Sequence, residues 1–120
     1  MPIHAKSIRP FIGAKDYSDS RAFYRDLGFV ERVLSTDMSL FTTEGLGFYL
    51  QDAFVKDWVD NTMLFLEVAD VDEFWADVVA LDLTSRYPTV RLKPICDLEW
   101  GRECFIHDPS GILWHIGQFT

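Results

Sequence analysis

Two stretches of this 120-residue chain repeat each other, and that limits its folds more than any local propensity does. A shift of 54 residues lays Phe11-Ile12-Gly13-Ala14-Lys15-Asp16 on Phe65-Leu66-Glu67-Val68-Ala69-Asp70, and Leu27-Gly28-Phe29 on Leu81-Asp82-Leu83. A shift of 66 lays Gly45-Leu46-Gly47-Phe48-Tyr49-Leu50 on Gly111-Ile112-Leu113-Trp114-His115-Ile116. Identity is low, but apolar character and order agree. A unit of about 60 residues buries too little surface to be stable alone, so the two halves are expected to pack as one domain. The module boundaries are expected at 1–58 and 59–120.

Each half reads as βαβββ. Ile8, Phe11, Ile12 and Ala14 predict a strand over 7–15. Asp16 or Ser18 offers an N-cap oxygen to a helix that gathers Phe23, Tyr24 and Leu27 on one face, with Arg21, Arg25 and Asp26 facing away. Gly28 suits the left-handed residue that ends many helices. Strands are expected over 29–35, 39–43 and 46–51, then a connector over 52–61 with room for a helical turn. The second half opens on a strand over 63–68. Asp70 and Glu73 have capping-box spacing, and Phe74, Val78 and Leu81 form the stripe of the next helix. Strands over 89–93, 102–107 and 112–119 follow, with 94–101 as a loop. Asp108-Pro109-Ser110-Gly111 matches a type I turn.

Composition removes several functions. Nineteen acidic residues against eleven basic ones give −8, and no basic cluster offsets the repulsion of a phosphate backbone, so no nucleic-acid partner is expected. That charge fits a cationic ligand, and it fits simple solubility equally well. No apolar run approaches the ~18–20 residues of a membrane span, and the first residues lack a signal peptide's pattern. A cytoplasmic protein with no membrane partner is expected. Cys96 and Cys104 form no CxxC pair and read as reduced, packing thiols. Aromatic residues make up 15% of the chain, with four tryptophans, more than a small core accommodates easily. Some are therefore expected to line a pocket or an interface.

Taken in order, these motifs resemble the vicinal oxygen chelate superfamily of glyoxalases, bleomycin resistance proteins and extradiol dioxygenases. The residues that carry the likeness are Asp16, Phe23-Tyr24, Leu27-Gly28-Phe29, Val68-Ala69-Asp70-Val71-Asp72, Trp100-Gly101-Arg102 and Asp108 through Leu113. The likeness spans nearly the whole chain. Over Arg86-Tyr87-Pro88, Leu98-Glu99-Trp100-Gly101 and Ile116-Gly117-Gln118 it is closest to bleomycin-resistance-type proteins. It implies an α+β fold in which two paired βαβββ modules form a curled mixed sheet around a cleft, commonly in a homodimer. It also implies binding of a cationic glycopeptide antibiotic in aromatic-lined grooves, without catalysis.

The superfamily's enzymes hold a divalent metal with His, Gln and Glu from the first and fourth strands of each module. Carried onto this chain, those positions fall seven residues before Asp16 and Asp70, at Arg9 and Met63, and seven after Asp108, at His115. The repeat then pairs His115 with Tyr49. Arg9 cannot lose its proton, Met63 offers a soft sulfur, and a neutral Tyr49 is a poor ligand, so only His115 qualifies. A two-residue slip would bring Gln51 and Gly117, which does not complete a set, and Glu67 adds one oxygen. No metal and no other cofactor are expected.

What remains is a set of candidate ligand-binding residues: Arg9, Tyr49, Met63, His115, Trp58 and Trp100. Arg9 needs an anionic partner, either a ligand or Glu67, Glu99 or Glu103. His115 is a general base, a group that orients a ligand, or a buried imidazole satisfied by Tyr49 or backbone. Met63 reads as an apolar wall, and Trp58 and Trp100 as stacking surfaces. His4 and His107 receive no role. The leading expectation is a metal-free small-molecule-binding protein that sequesters an antibiotic-like or aromatic ligand. The alternatives are a lyase, isomerase or dioxygenase using His115 and Tyr49 as acid and base, or an interaction module whose cleft is self-filled.

Overall fold

In the computed structural model, which describes residues 2–120, the repeat becomes two four-stranded sheets. The first runs β1(Phe11–Gly13), β4(Leu46–Gln51), β3(Met38–Thr43), β2(Val30–Ser35). The second runs β5(Met63–Glu67), β8(Leu113–Phe119), β7(Gly101–His107), β6(Arg91–Leu98). In each sheet the first strand is parallel to the last, and the other pairs are antiparallel. The repeat holds residue by residue. Phe11 pairs with Tyr49 in the first sheet, and Phe65 with His115 in the second.

The helices repeat as well. Asp16 caps α1(Tyr17–Leu27) by accepting from the Asp19 N–H at 3.0 Å, and Asp70 caps α3(Val71–Ala80) by accepting from Glu73 at 3.0 Å. After each helix a left-handed residue turns the chain, Gly28 at φ 116° and Asp82 at φ 53°. The modules diverge there. Phe29 leads into β2, whereas Leu83 opens α4(Leu83–Arg86), a single turn with no apolar periodicity to announce it.

Two sequence expectations shift, and a third, the helical turn in the connector, is met. The strand over 7–15 contracts to β1, because only Phe11–Gly13 find β4 as a partner, and Ile8 is left 98% exposed. The connector over 52–61 contains α2(Lys56–Asp60). The loop assigned to 94–101 is instead a continuation of β6 to Leu98, with a bulge between Lys93 and Cys96. Pro94 is tolerated there because β6 is an edge strand, where a missing N–H breaks no ladder.

One core joins the modules. Phe23, Phe29, Phe41, Phe48 and Trp114 surround Tyr24, with ring centroids 4.8 to 6.0 Å apart along the contacts that Tyr24 makes with Phe48, Phe41, Trp114 and Phe29. Phe48 of the first sheet meets Trp114 of the second at 5.3 Å, so the rear faces of both sheets share this cluster. A polar relay is buried inside it. Trp114 Nε1 donates to Tyr24 Oη at 2.9 Å, and Tyr24 donates to Asp108 Oδ2 at 2.6 Å. Asp108 Oδ1 accepts from the backbone N–H groups of Ser110, Gly111 and Ile112, which builds the predicted turn. Cys104 is buried beside this core, and burial pushes its thiol up to about 11, in keeping with a packing role. Among the described residues no helix is long and apolar enough to cross a membrane.

Candidate functional site

Strand alternation assigns the outer faces. Phe48 and Leu50 are in the core, so Tyr49 points the other way; Trp114 and Ile116 are in the core, so His115 does the same. The outer face of the second sheet is largely aromatic. Trp100 lies 5.7 Å from Phe65 and 5.1 Å from Phe119, and Phe65 lies 5.8 Å from Phe119. Gly117 makes room for this floor, since a Cβ there would come within 2.6 Å of the Phe65 ring. Phe65 is 46% exposed and Phe119 53%, so the floor faces solvent.

His115 sits at the edge of that floor. Its ring lies roughly parallel to Phe65 at 6.4 Å and edge-on to Phe105 at 4.8 Å. Its Nδ1 is 2.6 Å from Oε1 of Glu103, whose side chain is only 6% exposed. A buried carboxylate against one ring nitrogen fixes the imidazole's orientation. Met63 is on the same face, 64% exposed.

The outer face of the first sheet is smaller. Phe11 stacks on Tyr49 at 4.7 Å, and Arg9 reaches Gly47, whose absent Cβ would meet the guanidinium Nε at 3.5 Å. That Nε is buried and has no hydrogen-bond partner among the described residues. Among the described residues Arg9 forms no ion pair with Glu67, Glu99 or Glu103, and Glu103 is paired with His115 instead. Trp58, 72% exposed on α2, lines a cleft of about 200 Å³ together with Phe11 and Gln51.

The six candidate residues thus divide into two groups: Arg9, Tyr49 and Trp58 about the first sheet, and Met63, His115 and Trp100 about the second. Among the described residues, none of the four best-formed clefts holds more than one residue of the quartet Arg9, Tyr49, Met63 and His115. The largest, about 420 Å³, opens at the seam between the modules beside residues 6–10 and contains none of them. His115 is satisfied by Glu103, and the expected Tyr49 or backbone partner is not used.

Comparison with solved structures decides the fold. A bleomycin-binding protein from bleomycin-producing Streptomyces verticillus, complexed with copper(II)-bleomycin, superposes with a TM-score of 0.82 at 20% identity, covering 99% of this chain and 100% of that one. The chain has the vicinal oxygen chelate fold. Lactoylglutathione lyase from Agrobacterium tumefaciens shares this fold with a TM-score of 0.71, 18% identity, and 98% and 95% coverage. So does a genomically encoded fosfomycin resistance protein from Listeria monocytogenes, at 0.72, 19% identity, and 98% and 96% coverage. No family model matches the sequence, and no curated protein does either.

In enzymes of the vicinal oxygen chelate fold a metal is expected at the quartet, and the donors here do not fit one. A permanent cation, a thioether, a phenol and one imidazole whose Nδ1 already faces Glu103 make no ligand set for a divalent ion. Among the described residues no three His, Cys, Asp or Glu side chains cluster at metal-binding distance.

Sequence reasoning missed Phe65, Phe105 and Phe119 as floor residues, and Glu103 as the partner of His115. A signal for the latter was present. The Asp108–Gly111 turn sets the β7–β8 register, which pairs Phe105 with His115 and Glu103 with Gly117. Glu103 is therefore a diagonal cross-strand neighbour of His115, within reach of a long side chain.

Proposed function

We propose that this protein binds a small molecule with a flat, apolar body, of the antibiotic-like or aromatic kind, without a metal. The observation that carries the reading is the solvent-facing floor of Phe65, Trp100 and Phe119 beside the oriented His115. Ring-on-ring contacts of this type contribute about 0.5–1.5 kcal/mol each beyond burial, and three converging rings give a stacking platform. A buried Arg9 Nε without a partner adds a donor awaiting an acceptor. The donor chemistry of the quartet supports the metal-free form.

In this reading the working unit is a homodimer. The outer faces bearing Tyr49 and His115 each point away from the core that their sheets share, so a groove lined by both needs a second copy. Exposed Phe11, Met63, Phe65 and Phe119 give these faces the apolar character that association covers.

The test is calorimetric titration of the purified protein with neutral 1-naphthol, with sedimentation and elemental analysis of the same sample. Saturable binding, about fivefold or more weaker in Trp100→Ala, is the expected result. Absence of saturable binding, or a stoichiometric divalent metal in the sample, would overturn the reading.

The His115–Glu103 pair favours one second reading, a metal-free lyase or isomerase in which His115 moves a proton while Glu103 holds it in place. Tyr49 is not its partner within one chain. Turnover of a ligand found by titration, abolished by His115→Ala while binding persists, would establish this reading over simple sequestration.

A further inference from the structure

Among the described residues, five of the eleven Lys and Arg side chains of this acidic chain are ion-paired, all away from the outer face of the second sheet. Arg21 and Arg25 hold Glu31, Lys56 holds Asp60, Arg86 holds Asp26, and Arg102 holds Asp72 and Asp97. Arg91 and Lys93 are two of the six that are not, and they share one face. Both lie on the outer face of β6, Arg91 opposite His107 and Lys93 opposite Phe105, and among the described residues neither is ion-paired. The row Met63, Leu113, His107, Arg91 crosses all four strands of the second sheet. Along it opens a hollow of about 350 Å³, with Arg91 and His107 as its polar wall and Met63 and Leu113 as its apolar one. The acidic residue on the rim, Asp60, is neutralised by Lys56 at 2.6 Å, and Asn61 also reaches the hollow. Burial, then the nearby charges of Arg91 and His115, lower the His107 pKa, so the ring enters neutral with one N–H to give.

We propose that this hollow takes the oxyanion, a carboxylate or a phosphate, of the ligand whose flat body lies on the aromatic floor. The inference rests on the binding reading above and names the class of ligand. Arg91 supplies a fork of donors suited to either oxyanion, and His107 a further donor from the neighbouring strand. The next row along the strands is Phe65, His115, Phe105, Lys93. Two residues of strand separate the rows, about 7 Å, the reach of a fused two-ring body carrying its charged group at one end. Lys93, 5.4 Å over the Phe105 ring, extends the positive edge toward the floor. A cationic ligand would meet Arg91 in this hollow, with Lys93 two residues along β6, and the one carboxylate lining it, Asp60, is already paired with Lys56.

The experiment titrates the whole protein at low ionic strength with four naphthalenes: 1-naphthyl phosphate, 1-naphthoate, neutral 1-naphthol and 1-naphthylmethylammonium. The two oxyanion probes are expected to bind about tenfold or more tightly than 1-naphthol, and the ammonium probe more weakly. The preference should fall with added salt and vanish in Arg91→Gln, which should leave 1-naphthol affinity within about twofold. Which oxyanion binds tighter tells carboxylate from phosphate, and either order supports the site. Binding of 1-naphthol with no gain for the oxyanions, a preference for the ammonium, or an oxyanion preference that survives in Arg91→Gln would overturn it while leaving the floor intact. If none of the four binds, the floor and this site fall together.

Discussion

Tyr24→Phe is a test of how the two modules are stitched. The substitution keeps the ring among Phe23, Phe48 and Trp114 and deletes one oxygen at the centre of the core. Burial, then the neighbouring Asp108 carboxylate, hold the Tyr24 hydroxyl well above its ordinary pKa, so it remains a donor at any working pH. Without it, Trp114 Nε1 loses its acceptor and Asp108 Oδ2 loses its donor, on residues that are 4% and 0% exposed. Each stranded group costs about 1–3 kcal/mol, so the loss should be about 3 kcal/mol, or about 12 °C in Tm for a domain of this size. Urea unfolding followed by circular dichroism measures it, with an unchanged m-value. Asp108→Asn, which weakens the same relay from its other end, should couple to Tyr24→Phe by at least about 1 kcal/mol in a double-mutant cycle. A Tyr24→Phe cost below about 1 kcal/mol, or strict additivity with Asp108→Asn, would refute the reasoning.

Acid should unfold the first module's rear ion cluster in a defined window. Burial works against the Glu31 charge, but hydrogen bonds from Arg21, Ser39 and Arg25 outweigh it and lower its pKa from 4.5 to about 2. A carboxyl depressed in the folded state contributes stability above about 4.5 that is lost as pH falls toward 2. The full shift corresponds to about 3 kcal/mol, reduced to about 1–2 because the arginine side chains are 32% and 47% exposed. Glu31→Gln should flatten the stability profile between those pH values; an unchanged slope would place the linkage elsewhere. Gly117→Ala should push the Phe65 ring out of place, with its new Cβ 2.6 Å from that ring and 3.2 Å from Trp100. The expected effect is a several-fold loss of 1-naphthol affinity with a Tm change of only a few degrees, measured by calorimetry on one preparation. Equal affinity would remove Phe65 from the site.

Why some of this was legible in the sequence and some not follows from how each feature is encoded. The paired modules were legible because the repeat is carried by local chemistry: a capping aspartate, an aromatic stripe, a left-handed residue and a tight turn. Phe11 over Tyr49 and Phe65 over His115 are the same register read twice. The extent of β6 was hidden, since Pro94 signals a break unless the strand is known to be at an edge, and edge position depends on the finished sheet. The stacking floor was hidden for a similar reason. Phe65, Trp100 and Phe119 come from β5, the β6–β7 turn and the end of β8, and only the assembled sheet makes them neighbours. Trp58 and Trp100 stood out because tryptophan is rare, whereas phenylalanine on an alternating strand looks the same whether it faces core or solvent.

Net charge shows the same limit and bears on the ligand. A value of −8 favours a cationic partner if charge is spread evenly, but this chain segregates it. Ten of the nineteen acidic residues lie in the four helices or at their N-caps; most of them sit at a helix start, which favours a negative group, and Asp26 and Asp60 are ion-paired with Arg86 and Lys56. The strand positions of the second outer face hold only Glu67 and Glu103 against Arg91 and Lys93, and Glu103 is spent on His115. A ligand settling on that face is within one Debye length, about 8–10 Å, of the cations, while most helical carboxylates act through screened solvent. The local sign therefore governs affinity at contact, and the overall sign governs only the approach. An anionic ligand should accordingly bind with a slow, salt-accelerated on-rate and a salt-weakened affinity, opposite trends that stopped-flow and calorimetry on the same probe can separate.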